Sequence, residues 1–244
     1  MKGTEPMDSL FVKKFFIDWS RIQEDSYLHS IQSLKGVKEI PFNSPVTYFA
    51  GENGTGKSTI LEGIAVAYGF NPEGGSRNYF FSTYDSHSEL WDAITIARGI
   101  GKNNWGYFLR AESFYNVATK EMEYADSGHP SMGLHEMSHG ESFLAVMQSK
   151  LSTAGLYILD EPEAALSPQR QLTLLVEMER AVKAGAQFII ASHSPILLGY
   201  PGADILSFDS GKLHFIEYEE TESYQVTEMF INNREYLLKR LLEM

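Results

Sequence analysis

Three short stretches of the sequence carry residue types that suit phosphate chemistry. The first is Gly51-Glu52-Asn53-Gly54-Thr55-Gly56-Lys57-Ser58, followed by Thr59. Its glycines allow the backbone angles that wrap several N–H groups around an anion. A helix beginning near Lys57 would aim its positive dipole end at the same point. Lys57 can reach the β- and γ-phosphates of a nucleotide, and the Ser58 hydroxyl offers Mg²⁺ the hard oxygen ligand it prefers. The second stretch, Leu156-Tyr157-Ile158-Leu159-Asp160-Glu161, is an apolar run ending in two carboxylates. Asp160 would face the metal, directly or through a water, and Glu161 would orient and polarise an attacking water. The third, Ile190-Ala191-Ser192-His193-Ser194-Pro195, ends an apolar run on a histidine able to hydrogen-bond a γ-phosphate or the water. The candidate nucleotide ligands are therefore Asn53, Gly54, Thr55, Gly56, Lys57, Ser58 and Thr59. The candidate metal ligands are Ser58 and Asp160, and the candidate catalytic residues are Glu161 and His193.

These groups meet only if the chain places them at one edge. Val46–Ala50, Leu156–Leu159 and Gln187–Ala191 read as short buried strands, each running into one of the three stretches. Ser58–Gly69 has apolar residues at helical spacing (Ile60, Leu61, Ile64, Ala65, Tyr68), and so does Pro168–Ala184. Strands alternating with helices predict an α/β fold with a mainly parallel sheet covered on both faces. In such sheets ligands bind at the carboxyl ends of the strands, where all three stretches fall. Further strands are expected at residues 10–19 and 107–110, and helices at 141–151 and about 227–242. Asp209-Ser210-Gly211-Lys212 should turn a hairpin. Residues 71–78 and 125–140 read as irregular connections. No repeat, low-complexity tract or linker divides residues 1–244, so one domain is expected.

The chain has 244 residues, of which 43% are apolar, enough for a substantial core. It has no cysteine, which excludes disulfides and thiolate metal sites and fits a reducing cytoplasm. The net charge of −12 repels a phosphate backbone and argues against tight nucleic-acid binding by this chain alone. No basic stretch followed by an apolar core opens the sequence, and no window approaches the roughly 18 apolar residues of a membrane helix. A cytoplasmic protein without membrane insertion is expected.

The order of these motifs resembles the ATP-binding-cassette superfamily of ATPases, specifically its non-transporter branch. That branch includes the heads of chromosome-maintenance and recombination ATPases and small stand-alone predicted bacterial ATPases. Residues 51–58 resemble its Walker A loop, 156–161 its Walker B strand, Ala165-Leu166-Ser167 its D-loop and His193 its switch histidine. Met137-Ser138-His139-Gly140-Glu141 resembles the signature motif, although His139 replaces a glycine. Glu112 stands near the place of the Q-loop glutamine. The resemblance implies a P-loop nucleotide-binding domain with an N-terminal antiparallel β part and a small helical signature subdomain. It further implies Mg²⁺-dependent ATP hydrolysis by a homodimer that sandwiches the nucleotide, with Ser138 and Gly140 of one copy touching ATP held by the other. Glu112, Ser138 and Gly140 thus join the nucleotide ligands. Between Ser58 and Ser138 there is no room for a long coiled-coil arm. The partner driven by the cycle, a protein or a nucleic acid, stays open, as does service to a separate membrane chain as a transporter's ATPase subunit. A nucleotide-gated regulatory module with little turnover is a third use. Arg77 is a further candidate for phosphate, and Trp19 and Tyr27 are candidates for the adenine ring.

One rival pattern overlaps the signature. His135-Glu136-Met137-Ser138-His139 matches the His-Glu-x-x-His of zinc proteases, in which two histidines on one helix face hold Zn²⁺. Gly133, Ser138 and Gly140 make this stretch a poor helix interior, and a zinc protease would leave the phosphate loop without a use.

Overall fold

Strands buried at every position need cover on both faces, and three five-residue segments of this chain meet that description. The computed structural model describes residues 10–76, 89–100, 105–110, 139–151 and 154–242. In chain order its elements are β1 (Val12–Ile17), β2 (Glu39–Pro41), β3 (Val46–Ala50), α1 (Lys57–Tyr68), β4 (Gly75–Ser76), α2 (Leu90–Ala93), β5 (Ile94–Arg98) and β6 (Gly106–Arg110). There follow α3 (His139–Lys150), β7 (Leu156–Asp160), α4 (Pro168–Lys183), β8 (Gln187–Ala191), α5 (Pro195–Leu198), β9 (Asp204–Ser207), β10 (His214–Ile216) and α6 (Glu222–Leu241).

The central sheet has the order β10-β9-β3-β8-β7-β6-β4. Its five middle strands run parallel, and β10 and β4 pair antiparallel at the two edges. The period-2 rule divides each strand between two cores. Phe49, Ile158 and Ile189 face one core with α1 and the small sheet, while Tyr48, Tyr157, Leu159, Phe188 and Ile190 face the other with α3, α4 and α5. The small sheet is antiparallel, β2-β1-β5, as the resemblance implies.

One side chain ties the two sheets together. Gln187, the first residue of β8, is fully buried. It accepts from the Val12 N–H at 2.8 Å and donates to the Val12 carbonyl at 3.0 Å. Val12 sits at the start of β1, so this amide continues the hydrogen bonding of one sheet with a side chain from the other.

Several boundaries differ from the sequence reading. The first strand covers Val12–Ile17 and ends where Asp18 caps a 3-10 turn over Trp19–Arg21. Within the loop expected at 71–78, Gly75 and Ser76 pair with β6. Strand β5 was not expected at all. Helix α3 starts at His139, so His139 and Gly140 belong to it rather than to an irregular connection. Helix α6 starts at Glu222, about five residues early, after a 3-10 turn at Tyr218–Glu220 whose capping box fixes the entry of the chain. The hairpin at residues 209–212 is present between β9 and β10, with Ser210 and Gly211 at positive φ. Among the described residues no helix is long and apolar enough to cross a membrane.

Replacing Gln187 with Leu would strand the buried N–H and C=O of Val12. The expected cost is roughly 2–5 kcal/mol for two orphaned groups, read as a lower urea midpoint at unchanged slope. A wild-type midpoint would show that this amide does not join the sheets.

Candidate functional site

The parallel register sets the site. Asp160 is opposite Ala191 on β8 and Arg110 on β6, and Phe49 is opposite Ala191 on the other side of β8. The three strand ends that carry the phosphate loop, the paired carboxylates and the histidine therefore meet at one edge.

Gly51, Gly54 and Gly56 have φ of 145°, 82° and 96°, and the loop between β3 and α1 turns on them. Within it the Thr55 hydroxyl donates to the Glu52 carbonyl at 2.8 Å. Lys57 opens α1 but is 97% buried, its side chain folded back under the loop. Its ammonium donates to the carbonyls of Gly51 at 2.6 Å and Glu52 at 2.7 Å. An ammonium has three donors, so one is left to meet a phosphate oxygen inside the loop. Burial draws the Lys57 pKa below its ordinary value, while Glu161, then Asp209, Asp160 and Glu163, pull it back up.

Ser58 follows, and its hydroxyl donates to Asp160 Oδ1 at 2.9 Å. A hydroxyl and a carboxylate this close, beside a buried ammonium, form a hard-oxygen donor pair that fits Mg²⁺. The other Asp160 oxygen lies 3.7 Å from Arg110 Nε, and Arg110 donates to Glu62 at 2.6 Å. Glu161 comes next with φ 48° and ψ 52°, left-handed backbone that a non-glycine residue adopts at a cost of order 1–3 kcal/mol. Its N–H donates to the Ala191 carbonyl at 3.0 Å, which holds that geometry against β8. His193 lies just past β8, its side chain 51% exposed and its Nδ1 3.3 Å from Glu163 Oε1.

Beside the loop a cleft of about 610 Å³ is lined by Ile31, Gln32, Ser33, Glu52, Thr55 and Asp209 among others. The Ser33 hydroxyl donates to the Thr55 carbonyl at 2.5 Å, and Ile31 packs against Gly56. Trp19 and Tyr27, the expected adenine contacts, do not line this cleft. The Trp19 indole N–H is engaged by the Val37 carbonyl at 2.6 Å, and its ring leans on His29. Ile31 lies between two short 3-10 turns and Gln32 and Ser33 open the second, with no periodicity, so nothing local marked them. Asp209 was also missed as a site residue. From the β9–β10 turn, its Oδ1 accepts the Glu52 N–H at 3.0 Å, 157 residues away in sequence.

Of the expected ligands, Asn53 to Thr59, Asp160, Glu161 and His193 thus gather at one edge. Gly140 lies in α3. Glu112, Ser138 and Arg77 lie outside the described residues, as do His135 and Glu136 of the zinc pattern. Among the described residues no three His, Asp or Glu side chains group as a metal site.

Residues 27–104 match the AAA domain family model, and residues 109–199 match the model described as AAA domain, putative AbiEii toxin, Type IV TA system. The xylose/arabinose import ATP-binding protein XylG of Sulfolobus acidocaldarius is 26% identical over 82% of this chain and 88% of its own. Among solved structures, cbiO1 from Clostridium perfringens, part of the ABC transporter complex cbiONQ, aligns with a TM-score of 0.50. It shares 16% identity over 96% of this chain and 100% of its own. An SMC head domain from Thermotoga maritima aligns with a TM-score of 0.45 at 16% identity, over 85% of this chain and 98% of its own.

The Asp209 contact yields a prediction. Asp209→Ala should weaken ATP binding about tenfold, the loss of one hydrogen bond to a charged acceptor, measured by titration with a fluorescent ATP analogue. Unchanged affinity would mean that the loop keeps its shape without Asp209.

Proposed function

We propose that the chain is an ATPase of the ATP-binding-cassette superfamily and that residues 53–59, Asp160, Glu161 and His193 form one half of its site. The other half would come from a second copy of the chain. The observation that carries this reading is the Ser58–Asp160 pair at 2.9 Å beside the buried Lys57. Ser58 and Asp160 would hold Mg²⁺, which when bound neutralises charge on the β- and γ-phosphate oxygens.

Each remaining residue has a part that follows from its position. The N–H groups of the loop and the dipole of α1 bind the phosphates. The third donor of Lys57 bonds a terminal oxygen, so the ammonium moves little between the empty and occupied loop. Glu161 stands at the strand end beyond Asp160 and orients the attacking water through its carboxylate. His193, exposed at the same edge, faces the γ-phosphate region. Ile31 and the residues after it offer the adenosine moiety a partly apolar wall beside Thr55. Single-domain organisation over residues 1–244 and a cytoplasmic location complete the reading.

In the sandwich, Ser138 and Gly140 of the second copy reach the γ-phosphate, and Glu112 reports on the nucleotide from the segment after β6. ATP closes the pair and hydrolysis opens it, so the product is motion delivered to a partner protein or nucleic acid. The likeness to XylG supports a second reading, an ATPase subunit serving a separate membrane chain. Glu141-Ser142-Phe143-Leu144 in α3, where transporter subunits carry a basic helix, favours the first.

Glu161→Gln should cut kcat at least 100-fold, the scale of a lost general base, with ATP still bound. With ATP and Mg²⁺ this variant should double in mass by light scattering, and without nucleotide it should be monomeric. A variant that stays monomeric with saturating ATP at high protein concentration would refute the sandwich.

A further inference from the structure

One buried side chain near the site edge has no part in the scheme above. Gln171 is the fourth residue of α4 and is 7% exposed. The other buried residues of that helix are Leu174, Met178 and Ala181. The Gln171 amide finds polar partners at both ends. Its Nε2 donates to the Leu166 carbonyl at 3.1 Å, and its Oε1 accepts from the Ser194 hydroxyl at 2.5 Å. The Ser194 oxygen itself accepts from the N–H groups of Ile196 at 3.2 Å and Leu197 at 3.4 Å, so its one proton goes to Gln171. The Leu166 carbonyl can only accept, which fixes the direction of the amide.

These partners belong to the two turns that carry the acid and the histidine. Leu166 closes the 3-10 turn Pro162–Ala165, which Glu161 opens. Ser194 follows His193 and caps α5. Glu163 joins the two turns at one point, where its Oε1 accepts from the Ser192 hydroxyl at 2.8 Å and the His193 N–H at 2.7 Å. Gln171 joins them again at their far ends and refers both to a helix anchored in the core. Packing alone does not call for an amide here, since exchanging a buried hydrogen-bonded set for apolar groups of the same shape is close to neutral. What the amide adds is direction: a fully satisfied buried polar network holds its members in one arrangement.

We propose that Gln171 is a positioning residue for hydrolysis: its amide sets the separation between the turn of Glu161 and the turn of His193, and with it the gap in which water meets the γ-phosphate. The left-handed backbone at Glu161 aims its carboxylate only as well as the rest of its turn is held. The His193 side chain is 51% exposed, so its reach follows from where its backbone stands. A single clamp would let the two turns pivot about it. A second clamp at the far ends removes that freedom. Gln171 acts only through Leu166 and Ser194, and loss of either bond frees one turn.

This inference rests on the placement of Glu161 and His193 at the γ-phosphate given above. The test compares steady-state turnover of single and double variants, with stability read separately from urea midpoints. Gln171→Met keeps the length of the side chain and removes both bonds. It should lower kcat at least about tenfold, since a misplacement of about 1 Å costs up to roughly 100-fold, while the KM for ATP stays within about twofold. Ser194→Ala should lower kcat likewise, and the double variant should be no slower than the slower single one. Leu174→Val, in the buried core of the same helix, should lower the urea midpoint and leave kcat unchanged. A wild-type kcat in Gln171→Met or in Ser194→Ala would overturn the proposal. So would an equal loss of rate in Leu174→Val, which would reduce Gln171 to a matter of stability. Should Gln171→Met not fold, Ser194→Ala beside Leu174→Val still decides. If His193→Ala turns over at the wild-type rate, the placement of His193 fails and the proposal falls with it; if His193→Ala is slow and Gln171→Met is not, the proposal fails alone.

Discussion

The parallel register of β3, β8 and β7 is the constraint on which the site depends. Side chains alternate between faces along a strand, so a slip of one residue would exchange the two cores. It would send Tyr157 and Leu159 to the side of α1, and Ile158 to the side of α4. Both faces of these strands are buried and their side chains differ in size, so the packing on each side resists the slip. With that register fixed, Asp160 must lie beside Ala191, and Ala191 beside Phe49. The phosphate loop, the carboxylates and the histidine then emerge side by side, close enough for Ser58 to bond Asp160 and for Glu163 to bond the His193 N–H.

The register also explains how charge is managed. Lys57 is buried among polar groups rather than apolar ones. Two loop carbonyls take two of its protons, and carboxylates from three separate elements oppose the effect of its burial. Asp160, in turn, is shared between the Ser58 hydroxyl and the Arg110 guanidinium, which also meets Glu62 one helical turn beyond Ser58. Lys57, Ser58 and Asp160 are each already hydrogen-bonded within the protein. Arrival of a ligand then exchanges partners in a site that is already shaped, which keeps reorganisation small.

Much of this was legible in the sequence because it is local. Residues 51–59 carry their glycines, lysine and serine within one turn, and the buried strands show as unbroken apolar runs ending in Asp160-Glu161 or in Ser192-His193. What escaped is long-range. Gln187 looks like an ordinary polar residue opening a strand, and its bonds reach Val12, 175 positions away. Asp209 reads as a hairpin residue, and its second task at Glu52 depends on β9 lying next to β3. Glu163 carries no local signal of its contacts, which form when the β7–β8 pairing brings residues 192–194 over it. Trp19 had the chemistry of an adenine platform, but Val37 takes its N–H and its ring leans on His29. Short strands such as β4, and β5 behind four residues of helix, lack the length from which a period can be read.

The two sides of the edge differ in backbone strain, and the difference follows from residue type. The phosphate loop owes its shape to glycines at positive φ, which adopt those angles without strain and can leave them as readily. Glu161 adopts a left-handed angle with a full side chain, and such strain persists only where surrounding contacts over-determine it. Those contacts are identifiable: the Ala191 carbonyl holds its N–H, the Ala164 N–H donates to the Glu161 carbonyl, and the Glu163 side chain pins the same turn to residues 192–194. The loop that must admit a nucleotide is therefore shaped without strain, and the turn that must place a water is held in a strained shape by its contacts. A residue that relaxed the strain at 161 would stabilise the chain and misplace the carboxylate. That is the sense in which the strained backbone at Glu161 belongs to the chemistry of the site.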